Sequence, residues 1–126
     1  MGSTVKNSLL WVFDPLNDDA GFMRKRLFGF EAAYMDGLLC LSVGNGEEQW
    51  NGLLVCTSRE RHADLIREFP ELAPHPVLGK WLYLSQRNED FEAISGTLVK
   101  LVSRRDSRIG VEPGAKKKKA KKVMGS

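Results

Sequence analysis

The sequence predicts an α+β domain: a two-layer sandwich with a mainly antiparallel sheet and helices packed on it. Three observations lead there. Asp36-Gly37 separates two apolar runs, and such a pair favours a tight hairpin turn because both of its residues tolerate positive φ. Strand-like runs crowd the first half of the chain, and helical spacing dominates after residue 57, an order that suits segregated layers over a doubly wound sheet. The chain has 126 residues and is 42% hydrophobic, with 3 Trp and 6 Phe, enough for one packed core.

The elements can be justified in order. Residues 5–13 are apolar without a definite period, and Asp14-Pro15 opens a turn with a short helix start over 14–19. Met23 to Phe30 mixes basic and apolar residues, and Arg24-Lys25-Arg26-Leu27-Phe28 within it reads as a strand. The Asp36-Gly37 hairpin then joins residues 31–35 to 38–43. Gly44 to Glu48 reads as a polar loop. Trp50 to Cys56 is a third strand, and consecutive Leu53-Leu54-Val55 imply burial on both faces, by helices or a partner subunit. Thr57 and Glu60 have the spacing of a capping box. Ala63, Ile66 and Phe69 fall on one helical face with His62 beside it, and Pro70 bounds that helix. Pro74-His75-Pro76 is an extended connection, and Gly79 to Leu84 a short strand. Asn88-Glu89-Asp90 starts the last helix, with acidic groups at the positive end of its dipole. Phe91, Ile94, Leu98, Leu101 and Val102 trace its apolar face, and Arg104 and Arg105 suit its C-terminus. Residues 109–114 form a final extended segment.

Charge divides the chain into a body and a tail. The 19 Lys and Arg exceed the 16 Asp and Glu, a net +3. Six of the lysines are Lys116, Lys117, Lys118, Lys119, Lys121 and Lys122. Without them, 13 basic residues face 16 acidic ones, so residues 1–114 form a mildly acidic single domain. A broad basic face for nucleic acid is not expected on it. Residues 115–126 are expected to be disordered, since like charges repel and nothing apolar is available to bury. That tail has two readings: a nonspecific arm for nucleic acid through the six lysines, or a solubilising appendage. No run approaches the ~20 apolar residues of a membrane span, and no signal peptide is apparent, so the expected location is cytoplasmic.

The catalytic inventory is short. His62 and His75 stand apart, with neither Cys-x-x-Cys nor His-x-x-x-His, and the glycines form no phosphate loop. His62 reads as a solvated or edge-packed ring, and His75 as a positioned loop residue. Cys40 and Cys56 lie in apolar strands and read as buried thiols. Trp11, Trp50 and Trp81 lie within apolar runs and read as core or dimer-interface residues rather than base-stacking platforms. No catalytic, metal or cofactor-binding residue is assigned, and the expectation is a protein that is not an enzyme.

Arg26-Leu27-Phe28-Gly29-Phe30 leads through Tyr34-Met35 into Asp36-Gly37. This stretch resembles the opening motif of TfoX N-terminal domains, roughly Arg-x-Met-Phe-Gly-Gly followed by Tyr-x-Asp-Gly and an apolar strand. Arg26, Phe28, Gly29, Tyr34, Asp36 and Gly37 match, with one residue between Arg26 and Phe28. Leu27 stands in place of Met, and Phe30 in place of the second Gly. The likeness covers about residues 22–105. YjbR-like proteins, of related fold, are a weaker likeness, through Trp81 after its Pro/His loop. The resemblance implies a compact α+β domain, often a homodimer, whose motif is structural. Full-length TfoX proteins regulate bacterial competence and carry a second helical domain, where this chain has its lysine tail. The expected function is therefore protein association, possible in a regulatory setting. The alternative is a nucleic-acid accessory protein that binds through the tail.

Overall fold

Asp36 and Gly37 form the tight turn that their identities predict. Their φ angles are +54° and +87°, the doubly left-handed backbone of a type I′ hairpin, where glycine removes the Cβ penalty. The computed structural model describes residues 7–27 and 29–113. On either side of the turn run β2 (Phe30–Met35) and β3 (Leu38–Asn45), paired from Met35 opposite Leu38, with a register shift between Tyr34 and Ala33. β1 (Phe22–Leu27) adds to β2, and β4 (Asn51–Val55) to β3. After α1 (His62–Glu68), β5 (Ala73–Pro74) leads into β6 (Leu82–Ser85), which returns to pair with β4. The six-stranded sheet has the order β1-β2-β3-β4-β6-β5, and all its pairings are antiparallel. The closing helix α2 is Phe91–Ser103.

One face of the sheet carries the helices. A 3-10 helix, Leu10–Leu16, packs against α2, with Trp11 edge-on to Phe91 at 6.2 Å. This helix replaces the undefined apolar run and the turn expected at Asp14-Pro15. Phe13, Leu16, Leu41, Val43, Leu53, Val55, Leu65 and Leu98 are fully buried between the layers. The face predicted for the last helix is observed: Phe91, Ile94, Leu98, Leu101 and Val102 are all buried. Among the described residues, the opposite face of the sheet carries no helix. Ala32, Leu39 and Cys56 lie there beneath partly exposed Leu27, Tyr34, Trp81 and Val111. Both neighbours of Leu54 in β4 and Leu54 itself are buried, so the expected two-sided burial of that strand holds. Gly52 lets β4 and β6 approach, because a Cβ there would collide with the Leu84 carbonyl oxygen.

Three local expectations are corrected. Thr57 does not cap α1. Its hydroxyl donates to the Arg108 carbonyl at 2.6 Å, and Arg59–Arg61 makes a 3-10 turn before the helix. The buried face of α1 is Leu65, continued by Phe69 and Leu72, while Ala63 is exposed and Ile66 only partly covered. Gly44 and Asn45 belong to β3 rather than to a loop. The Phe30 ring lies over Gly44, where a Cβ would come within 2.7 Å of it.

The sheet edges are both blunted. β1 presents exposed Arg24, Lys25 and Arg26, and β5 is two residues long and contains Pro74. Among the described residues, no helix is long and apolar enough to cross a membrane.

Candidate functional site

The described motif residues are split between the two ends of β2. Arg26 and Gly29 stand at the β1–β2 turn, and Asp36 and Gly37 at the β2–β3 turn, where Asp36 does more than shape the turn. Asp36 accepts from Arg105 Nε at 2.9 Å. The same guanidinium grips Asp19 with both terminal nitrogens, at 2.7 and 2.9 Å. Arg105 itself has φ +58°, a left-handed residue just beyond α2, and its Nη1 also donates to the Ser103 carbonyl. One arginine thus ties the loop before β1, the β2–β3 turn and the end of α2. Arg105 and the Gly21 amide hold the Asp19 carboxyl down at about 2. The paired carboxylates in turn raise the guanidinium further above its ordinary value.

Arg26 sits on β1 with its Nε 3.6 Å from Glu31, and Gly29 closes the β1–β2 turn with φ +83°. Tyr34 is half-buried on the helix-free face, with Lys25 Nζ 5.6 Å from its ring centroid, a cation–π contact. Phe28 lies outside the described residues, as do Lys116, Lys117, Lys118, Lys119, Lys121 and Lys122 and the rest of the tail.

Beside the Arg105 clasp opens a cleft of about 450 Å³. Its floor is apolar: Met35, Leu38, Cys40, Val102 and Ile109. Its rim carries Arg61, Asp36, Asp106 and Glu112. Asp106 is held by Arg108, which lowers its carboxyl and also reaches Glu68 at 2.9 Å. Burial pushes the Cys40 thiol up to about 11, so the floor presents a neutral sulfur at neutral pH. Cys56 lies on the other face of the sheet and is raised further by complete burial. Neither histidine lines this cleft.

His75 is a strut. It is 1% exposed. Its Nδ1 accepts from the Val77 and Leu78 amides, both at 3.0 Å, and its Nε2 lies 2.7 Å from the Gln49 carbonyl. Those partners assign the neutral ring with its hydrogen on Nε2. The ring lies between Trp50, at 4.3 Å, and Tyr83, at 5.5 Å. His75 therefore pins the loop 76–81 over the helix-free face. His62 is edge-packed, with its Nε2 2.8 Å from the Lys80 carbonyl.

Sequence reasoning missed the Arg105 clasp and the cleft. Their partners lie 69 and 86 residues apart, and no local pattern signals such a contact. Among the described residues, no group of three or more His, Cys, Asp or Glu is placed to hold a metal ion. No protein-family model, curated protein or solved structure matches the chain.

Proposed function

We propose that this chain is a TfoX-like association domain, non-catalytic, which pairs as a homodimer through the helix-free face of its sheet. One observation carries the reading: that face is apolar and incompletely covered. Val77 is 68% exposed on the loop above it, and Leu27, Trp50, Leu78 and Trp81 are each only partly buried around a shallow crevice. Aromatic and aliphatic groups gathered on one exposed face mark an association surface. The titratable groups singled out in the sequence support a structural role for the rest of the molecule. His75 braces a loop, Cys40 and Cys56 are buried, and Asp36 is bound to Arg105. Charged β1 favours pairing through the face over pairing through that edge, because two copies of Arg24-Lys25-Arg26 would repel.

Light scattering tests this. A dimer is expected at high micromolar concentration, and Val77→Asp is expected to shift it to monomer without unfolding, since Val77 is exposed. A monomeric parent overturns the homodimer, and an unchanged dimer in V77D overturns the face.

A second reading rests on the six tail lysines. Nonspecific binding to nucleic acid through them would fall steeply with salt, with a log–log slope of up to about −5. Deleting residues 115–126 is expected to abolish retention on a polyanion at low salt. Unchanged retention rejects the tail as the binding element.

A further inference from the structure

The end of the sheet at the β2–β3 turn has an opening of its own, which shares no lining residue with the crevice between Trp50 and Trp81. We infer that the cleft between the α2 C-terminus and the β2–β3 turn binds an apolar monocarboxylate, with Arg61 taking the carboxylate and Met35, Leu38 and Val102 receiving the apolar body. The two arginines at this cleft differ in their commitments. Arg105 spends its nitrogens on Asp19, Asp36 and the Ser103 carbonyl. Arg61 is half-buried at the rim and its side chain has no ion pair or hydrogen bond among the described residues. A guanidinium with free donors over an apolar floor matches a planar carboxylate, which it can hold bidentately.

Size and charge narrow the ligand. About 450 Å³ lies in the range of small-molecule sites, and the cleft combines an apolar floor with a charged rim. Asp36 and Asp106 on the rim are paired with Arg105 and Arg108, and the Glu112 carboxylate beside them repels a multiply charged phosphate more strongly than a single negative charge. A single negative charge on an apolar body meets Arg61, uncommitted among the described residues, and an apolar floor. The same chemistry is presented by a free organic acid and by the C-terminus of a peptide ending in an apolar residue.

Phenylacetate, titrated into the full chain and followed by amide chemical shifts, provides the test. Saturable shifts are expected at Leu38, Val102 and Gly110. Phenylacetamide is expected to bind about tenfold more weakly, as is phenylacetate to Arg61→Gln, the loss typical of one charge-assisted contact. Arg61→Lys should recover part of that loss. The Arg61 side chain makes no bond among the described residues, so both variants are expected to keep the fold, which a preserved amide spectrum verifies. Ala-Ala-Phe with a free or an amidated C-terminus distinguishes the sources. Tighter binding of the free-terminus peptide than of phenylacetate assigns the site to a chain end, and the reverse order to a free acid. Equal affinity for acid and amide, unchanged binding in R61Q, or no saturation up to about 10 mM overturns the inference.

Discussion

The two faces of the sheet are closed by different means. Under the helices, closure is volumetric: Leu41, Val43, Leu53, Val55 and Leu98 are fully buried, and the 3-10 helix and α2 supply the opposing layer. On the other face, the described residues place no helix, and a loop is held down by hydrogen bonds to one ring, His75. The first face resists change because many dispersion contacts act together. The second depends on a few directional bonds around a buried polar group, so it can fail locally while the rest of the fold persists. A surface used for association would be found on the second kind of face, where apolar groups stay partly exposed.

The largest expected effect breaks the helix-covered face. Leu98→Ala removes a fully buried side chain from α2 and leaves a cavity. Urea unfolding is expected to show a loss of about 2–5 kcal/mol. A loss below about 1 kcal/mol would mean that this face is not held by packing volume.

A smaller effect is expected from His75→Ala, about 2 kcal/mol, from three lost hydrogen bonds and a vacated ring site between Trp50 and Tyr83. Its location matters more than its size. Hydrogen exchange should accelerate at Val77 and Leu78 while Leu98 and Val99 in α2 keep their protection. Uniform acceleration in both regions would erase the distinction between the faces.

The same contrast explains what could be read in the sequence. Contacts between near neighbours were legible. The β2–β3 hairpin follows from Asp36-Gly37, and the buried face of α2 follows from the spacing of Phe91, Ile94, Leu98, Leu101 and Val102. Long-range polar contacts were not. Thr57 and Glu60 have capping-box spacing, but the Arg108 carbonyl takes the Thr57 hydroxyl from 51 residues away. Gly44 and Asn45 look like loop residues until the Phe30 ring is seen to fill the space over Gly44. His75 was legible as a positioned residue, because two prolines fix the backbone around it, though its three partners were not. Of the candidate site, Asp36 was visible only as a turn residue, and Arg105 only as a helix-end cation.

Arg105→Ala sharpens the comparison at the rim of the helix-covered face. The clasp is solvent-exposed, so its loss should cost less than either substitution above. Thermal melts should show a modest drop. Lysine at this position should restore little of it, since a single ammonium cannot reproduce the fork that holds Asp19 and Asp36 together. Full rescue by Arg105→Lys would show that charge alone, and not the planar geometry, joins the three elements.

The smallest effect is a dependence on pH. The Asp19 carboxyl, ordinarily near 3.8, is held at about 2 in the folded chain, first by Arg105 and then by the Gly21 amide. A folded pKa below the unfolded one means that the folded state binds the proton less readily. The carboxylate therefore stabilises the fold fully at pH values above about 4, and that contribution falls away as the pH drops from there towards 2. Asp19→Asn removes the titrating group while keeping the side-chain shape. In urea titrations the variant should be less stable than the parent at pH 7, and the two midpoints should converge as the pH falls through this window. Glu48 and Asp106, whose carboxyls are also lowered, remain in both proteins and cancel from the difference. A gap that stays constant down to pH 2 would mean that the charge of Asp19 adds nothing to the clasp, and that its hold on Arg105 is only steric.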